Sequence, residues 1–202
     1  MARKYLLVEG NDDEKVAEHL CRLYNKVLQY ETKKQGVDSL SEDLPVYLKG
    51  SDVRAIGVVI DADSRVEARW NSLGAVLRKQ GYARVPVDPL AAGTIVRQEG
   101  KPSVGIWIMP DNRVSGMLED FIGFLVPNGD PMWEWAGECL DSVPLCPARF
   151  ADIHRSKARI HTWLAWQREP GTPMGLAISR RYLDGTCPRA SQFVNWLEEL
   201  FT

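Results

Sequence analysis

The sequence predicts an α/β fold: an open, mostly parallel sheet flanked by helices, followed by a helical C-terminal extension. Three observations predict it. Two short, strongly apolar runs, Lys4 to Val8 and Ala55 to Ile60, suit strands buried on both faces. Each run leads into apolar residues at helical spacing. From Gly116 onward the periodicity becomes predominantly helical.

In chain order, Lys4-Tyr5-Leu6-Leu7-Val8 stops at Glu9-Gly10. Asn11 and Glu14 then have capping-box spacing, and Val16, Leu20, Leu23, Val27 and Tyr30 recur every three or four residues, which predicts an amphipathic helix. The polar stretch from Glu31 to Asp43, with Gly36, Ser39 and Ser41, reads as a loop before a second strand at Pro45 to Leu48. Ala55-Ile56-Gly57-Val58-Val59-Ile60 is β-branched and too short for a helix, and it delivers Asp61-Ala62-Asp63 at its carboxyl end. Ser64 reads as the N-cap of the next helix, where Val66, Trp70, Leu73 and Leu77 keep helical spacing until Gly81. Thr94 to Arg97 and Val104 to Met109, separated by Gly100-Lys101-Pro102, predict a hairpin at the sheet edge. Helical segments follow at Met117 to Phe124, Trp133 to Leu140, Ser156 to Trp166 and Ala190 to Phe201, while Gly171-Thr172-Pro173-Met174-Gly175 reads as a turn. The core is expected over residues 1–125 and the extension over 126–202, packed on it as one structural unit.

Length and composition bound the function. At 202 residues the chain holds one substantial domain, and 45% hydrophobic with 26% charged residues excludes global disorder. No apolar run approaches the roughly 18 residues that cross a bilayer, and the start leads straight into a strand, so a cytoplasmic protein without membrane contact is expected. Cys21, Cys139, Cys146 and Cys187 lack the paired spacing of structural zinc and read as reduced thiols. A net charge of −2 argues against non-specific coating of nucleic acid, so any such contact must be local.

In open α/β sheets, ligands gather outside the carboxyl ends of strands, where acidic residues far apart in sequence can converge. Glu9 and the Asp61/Asp63 pair meet that condition. Converging carboxylates repel one another, and a shared proton or a hard divalent cation relieves the repulsion, Mg²⁺ being the commoner occupant where phosphates are handled. The same residue types also serve as plain loop formers and helix caps. What sets this chain apart is the ordered combination: a strand ending in Glu-Gly, an acidic helix start, and a later strand ending in Asp-x-Asp.

That combination resembles the TOPRIM family, in Leu6-Leu7-Val8-Glu9-Gly10 and Val58-Val59-Ile60-Asp61-Ala62-Asp63. Within it the chain looks most similar to small stand-alone relatives of the OLD (overcoming lysogenization defect) nucleases. Their first motif adds an acidic residue that falls on Asp13. The resemblance extends to Met109-Pro110-Asp111-Asn112, Gly116-Met117-Leu118-Glu119-Asp120 and the Ser156 to Ala165 stretch. It implies a Mg²⁺ (or Mn²⁺) site built from Glu9, Asp13, Asp61, Asp63 and Glu119, acting on the phosphodiesters of DNA or RNA. It further implies a role for Glu9 in proton transfer and for Lys157 in supporting the charged transition state. Partners implied are the nucleic acid, a separately encoded ATPase, and a second copy of the chain in a homodimer. No G-x-x-x-x-G-K-[ST] loop is present, so ATP hydrolysis by that route is not expected.

A phosphate-rich substrate needs positive charge. Between Arg149 and Arg189, eight basic residues (Arg149, Arg155, Lys157, Arg159, Arg168, Arg180, Arg181 and Arg189) outnumber three acidic ones (Asp152, Glu169 and Asp184). Arg155, Arg159, Arg180 and Arg181 are the candidates for tracking the backbone. Trp163, Leu164 and Trp166 beside Ile160 are expected to fill the core. A non-catalytic phosphate-binding module and a nucleotide phosphatase or phosphotransferase stand as alternatives to the nuclease.

Overall fold

A computed structural model describes residues 2–34, 37–142 and 149–202. Five strands, β1 (Arg3–Val8), β2 (Glu31–Lys34), β3 (Val53–Asp61), β4 (Thr94–Val96) and β5 (Ser103–Met109), form one sheet in the order β2-β1-β3-β5-β4. All neighbours are parallel except the β4/β5 hairpin, which closes one edge antiparallel as its turn signature predicts.

Strand residues alternate between two apolar layers, as the pleat requires. Tyr5, Leu7, Ile56, Val58, Ile60, Val104, Ile106 and Ile108 meet α2 (Val37–Leu48) and α3 (Val66–Lys79) on one face. Leu6, Val8, Val59, Trp107 and Met109 meet the opposite layer. That layer combines α1 (Asn11–Leu23) and α4 (Leu118–Phe124) with α5 (Pro131–Ser142), α6 (Arg155–Ala165), α7 (Met174–Ser179) and α8 (Pro188–Phe201). A three-residue 3-10 turn, Asp152–His154, precedes α6.

Several sequence expectations are corrected. Residues 31–34 form a strand and Pro45 to Leu48 do not. Glu-Thr-Lys-Lys carries no apolar side chain, because β2 is an outer strand whose charged residues face water, a common protection of sheet edges. Leu40 and Leu44 instead bury one face of α2, and that packing outweighs the hydrogen bond Pro45 removes inside the helix. In α1 the N-terminal carboxylate contact is made by Asp13, not Glu14, with the Gly10 N–H donating to Asp13 Oδ2 at 2.9 Å. The helix stops at Leu23, leaving Val27 exposed. Arg65, not Ser64, is the N-cap of α3. The 171–175 turn gives way to α7 at Met174, and Trp166 lies at the exposed end of α6 while Trp163 is buried. Cys21, Cys139 and Cys187 are free thiols; Cys146 lies outside the described residues.

Helix α8 sits directly on the central strands because of two glycines. Gly57 and Gly105 are register partners on β3 and β5. A Cβ on Gly57 would lie 2.8 Å from Leu6 Cδ1 and 3.1 Å from the Phe201 ring, and one on Gly105 would lie 2.5 Å from Leu200 Cδ2 and 3.0 Å from Trp196. The missing side chains make a notch for the last turns of α8. Gly105→Val is expected to lower stability by about 1–3 kcal/mol through overpacking, read as a lower urea midpoint at unchanged slope.

Candidate metal and phosphodiester site

The carboxyl ends of β1 and β3 and the start of α4 bring Glu9, Asp13, Asp61 and Glu119 into one electrostatic cluster. β1 and β3 are adjacent and parallel, so Glu9 and Asp61 leave the sheet side by side. Glu9 Oε1 accepts the Asp61 backbone N–H at 2.8 Å. The Asp61 carboxylate in turn accepts the Leu118 N–H at 2.9 Å, tying β3 to the first turn of α4. Asp13 and Glu119 are buried, 8% and 6% exposed, which for carboxylates is unusual without strong partners.

Asp63 stands beside this cluster in a left-handed backbone conformation, φ 51°, held by paired N–H···O bonds of 2.9 Å with Gly116. Its side chain forms an ion pair with Arg69 of α3. Lys157 of α6 reaches back to place Nζ 3.0 Å from Glu119 Oε1. One residue earlier on the same helix, Ser156 hydrogen-bonds to Asp120. The extension thus sets a cation beside Glu119.

Burial and mutual repulsion raise the proton affinity of Asp61, Asp13 and Glu9. Asp61 is pushed up to about 8, first by burial and then by Glu9, Asp13 and Glu119, with the Leu118 N–H opposing. Asp13 is pushed up to about 7, again by burial first, with Glu9 and Glu119 adding and the Gly10 N–H opposing. Burial also raises Glu9; Asp63 and Glu119 add to this, while the Asp61 N–H and Arg69 counter it. Lys157 is raised by its contact with Glu119, then by the fields of Asp12 and Asp61.

These shifts have a consequence for stability. The folded chain holds protons on Asp13 and Asp61 at pH values where the unfolded chain has released them. Their stabilising contribution is therefore full below about pH 4 and is lost as pH rises towards 7 to 8, the reverse of an ion-paired aspartate. Urea midpoints measured in chelator should fall between about pH 5 and pH 8, and Asp13→Asn should flatten that decline.

The donors are all carboxylate oxygens, the chemistry that Mg²⁺ and Mn²⁺ prefer. Among the described residues no three His, Cys, Asp or Glu side chains already converge as ligands of one ion. Mg²⁺ does not need such a cage, since it retains several waters and takes one or two carboxylates. The residues present therefore fit this group.

The four arginines are placed differently from one another. Arg155 pairs with Asp141. Arg159 donates to the Trp133 carbonyl at 2.9 and 3.2 Å and lies 3.9 Å from that ring's centroid. Arg180 is held by Glu169 at 2.7 Å and Thr172 Oγ1 at 2.8 Å, while Arg181 is exposed just past α7. Arg69, Asp120 and Ser156 are the site residues that spacing alone does not reveal. For Arg69 a signal exists: a basic side chain one turn into the helix that follows Asp-x-Asp can fold back onto it.

Comparison with known proteins adds the following. A family model described as "Protein of unknown function (DUF3226)" matches residues 3–202. No curated protein matches the chain. Two solved structures of the C-terminal region of the Xanthomonas campestris pv. campestris OLD protein share its fold. The one phased with iodine has a TM-score of 0.53 at 13% identity, covering 98% of this chain and 95% of that one. The one phased with mercury gives 0.52 at 14% identity, with 98% and 96% covered. The likeness is one of fold. Among the described residues no helix is long and apolar enough to cross a membrane.

Proposed function

The chain belongs to the DUF3226 family, and from its site we propose that it is a TOPRIM-type, divalent-metal-dependent nuclease that hydrolyses phosphodiester bonds in DNA or RNA. One observation carries the reading: Glu9, from the end of β1, is hydrogen-bonded to the backbone of Asp61 at the end of β3, with buried Asp13 and Glu119 in the same field. The OLD-like fold supports it.

Glu9, Asp13, Asp61, Asp63 and Glu119 are the residues that would hold Mg²⁺ or Mn²⁺. When bound, such ions supply Lewis acidity at a phosphoryl oxygen and help activate water. The chain's own residues do the rest. Glu9, oriented by the Asp61 N–H, is placed to move a proton. Lys157 sets a positive charge beside Glu119, where it steadies charge that develops on the transferred phosphoryl group. Arg155, Arg159, Arg180 and Arg181 contribute positive potential for the nucleic-acid backbone.

Purified protein should cleave single- or double-stranded DNA or RNA in Mg²⁺ or Mn²⁺ and stop in chelator. Addition of Mg²⁺ at pH 8 should also raise the melting temperature, because an ion that binds only the folded state stabilises it by mass action. Absence of both effects would remove the proposal. The Arg69–Asp63 and Lys157–Glu119 ion pairs favour a second reading, in which these cations already neutralise the site and the chain binds phosphates without cleaving, within an assembly that includes a separately encoded ATPase. That module would bind nucleic acid in a salt-dependent way and cleave it under no divalent ion.

A further inference from the structure

A cavity of about 360 Å³ opens beside Glu119, between α4, α5 and α6. This is within the size range of small-molecule sites. Val114, Phe124 and Trp133 give it mainly apolar walls, while Glu119, Arg159 and the hydrogen-bonded pair Ser156–Asp120 supply its polar edges. Val114 and Phe124 remain 49% and 41% exposed although both are large apolar residues. Gly123 leaves backbone bare there: a Cβ would lie 3.4 Å from the Trp133 ring.

From this geometry we infer that the cavity receives one unstacked nucleobase of the substrate, next to the phosphodiester engaged at the carboxylates. The inference deepens the nuclease reading and rests on it for the position of the phosphodiester. Three features select a base. The wall sets the carboxylates of Glu119 and Asp120 against one cation, Arg159, whose guanidinium is already engaged with the Trp133 carbonyl, so an anionic phosphate gains little there and an uncharged group is favoured. Phe124 offers partly exposed ring surface, and the Arg159 guanidinium layered on Trp133 offers a second planar group, both of kinds on which bases stack. The Asp120 carboxylate, acceptor for Ser156 and for the Met117 N–H, has lone pairs left to accept from an exocyclic amino group, so guanine, adenine and cytosine are favoured over uracil or thymine, whose edges present two carbonyl oxygens. Only a flexible or single-stranded segment can turn a base out to this depth without added unpairing cost.

The base site is tested without cleavage by titrating the ¹⁵N-labelled protein with adenosine, guanosine, cytidine and uridine, which carry no phosphate. Resonances of Gly123, Phe124 and the Trp133 indole should shift, most for the amino-bearing nucleosides. Gly123→Leu, which fills the cavity, and Val114→Ser, at its exposed rim, should weaken the response about tenfold or abolish it, with folding checked by the unperturbed remainder of the spectrum. No shift at millimolar nucleoside, or equal shifts in both variants, overturns the inference. Its tie to the chemistry is tested with oligonucleotides carrying abasic positions. The unmodified protein should cut these about tenfold more slowly than intact ones, and Phe124→Ala should cut both alike; equal cutting by the unmodified protein overturns the placement. Nucleoside shifts without cleavage of any polymer would sink the hydrolase reading while leaving the base site standing.

Discussion

Asp61→Asn is expected to lose cleavage by about 10³-fold or more and, at pH 8 without divalent ions, to melt higher than the unmodified protein. The activity loss follows from the several kcal/mol that Lewis acidity contributes to phosphoryl transfer, since each ~1.4 kcal/mol is a factor of ten in rate. The stability gain follows from removing a buried negative charge whose carboxyl is pushed up to about 8 by burial and by Glu9, Asp13 and Glu119. Asparagine keeps an oxygen to accept the Leu118 N–H, so the link from β3 to α4 survives. A rise of roughly 3 to 10 °C corresponds to a gain of a few kcal/mol in a chain of this size. The pairing of the two readouts is what discriminates: a merely structural aspartate would lose stability when replaced, and a variant that melts lower while cleaving normally would refute its assignment to the site.

Lys157→Ala is the second large expected effect, a fall of about 10²-fold in cleavage with little change in the concentration of Mg²⁺ required. The Lys157 side chain is half exposed while its partner Glu119 is buried, so the lysine can swing from that ion pair towards charge on the substrate. Removing one preorganised donor at a site of developing charge costs about 10²- to 10³-fold in well-studied enzymes. Lys157→Arg should recover part of the loss, because the charge stays but the guanidinium presents a planar fork in place of a point charge. Should the alanine variant instead demand far more Mg²⁺ while reaching the same maximal rate, Lys157 would be shaping the carboxylates and not the transition state.

Much of this arrangement can be read in the sequence because buried parallel strands must be apolar along their whole length. Lys4 to Val8 and Ala55 to Ile60 announce themselves that way, and Glu9 and Asp61 stand out as the points where the run breaks. Asp13, Glu119 and Lys157 become visible only through resemblance, since an acid in a first helical turn and a lysine on a helix are ordinary surface residues by spacing. What stays hidden has physical reasons. The β2 strand is polar throughout, so no periodicity marks it. Pro45 argues against the helix that Leu40 and Leu44 build. Arg69, Ser156 and Asp120 acquire their roles from how α3, α4 and α6 dock, which is tertiary information.

The seating of α8 in the Gly57/Gly105 notch bears on how the molecule is assembled in time. Its contacts join residues remote in the chain: Lys4 hydrogen-bonds to the Phe201 carbonyl across 197 positions, and Trp196 Nε1 donates to the Thr94 carbonyl across 102. Topologies dominated by such distant pairings have a high contact order, and closing the long intervening loops delays the productive transition state. The parallel strands can pair before α8 arrives, yet their exposed apolar face would then await its cover. Refolding is therefore expected to pass through a sheet-containing intermediate that binds hydrophobic dyes, with dye release and native tryptophan fluorescence returning only in the final kinetic phase.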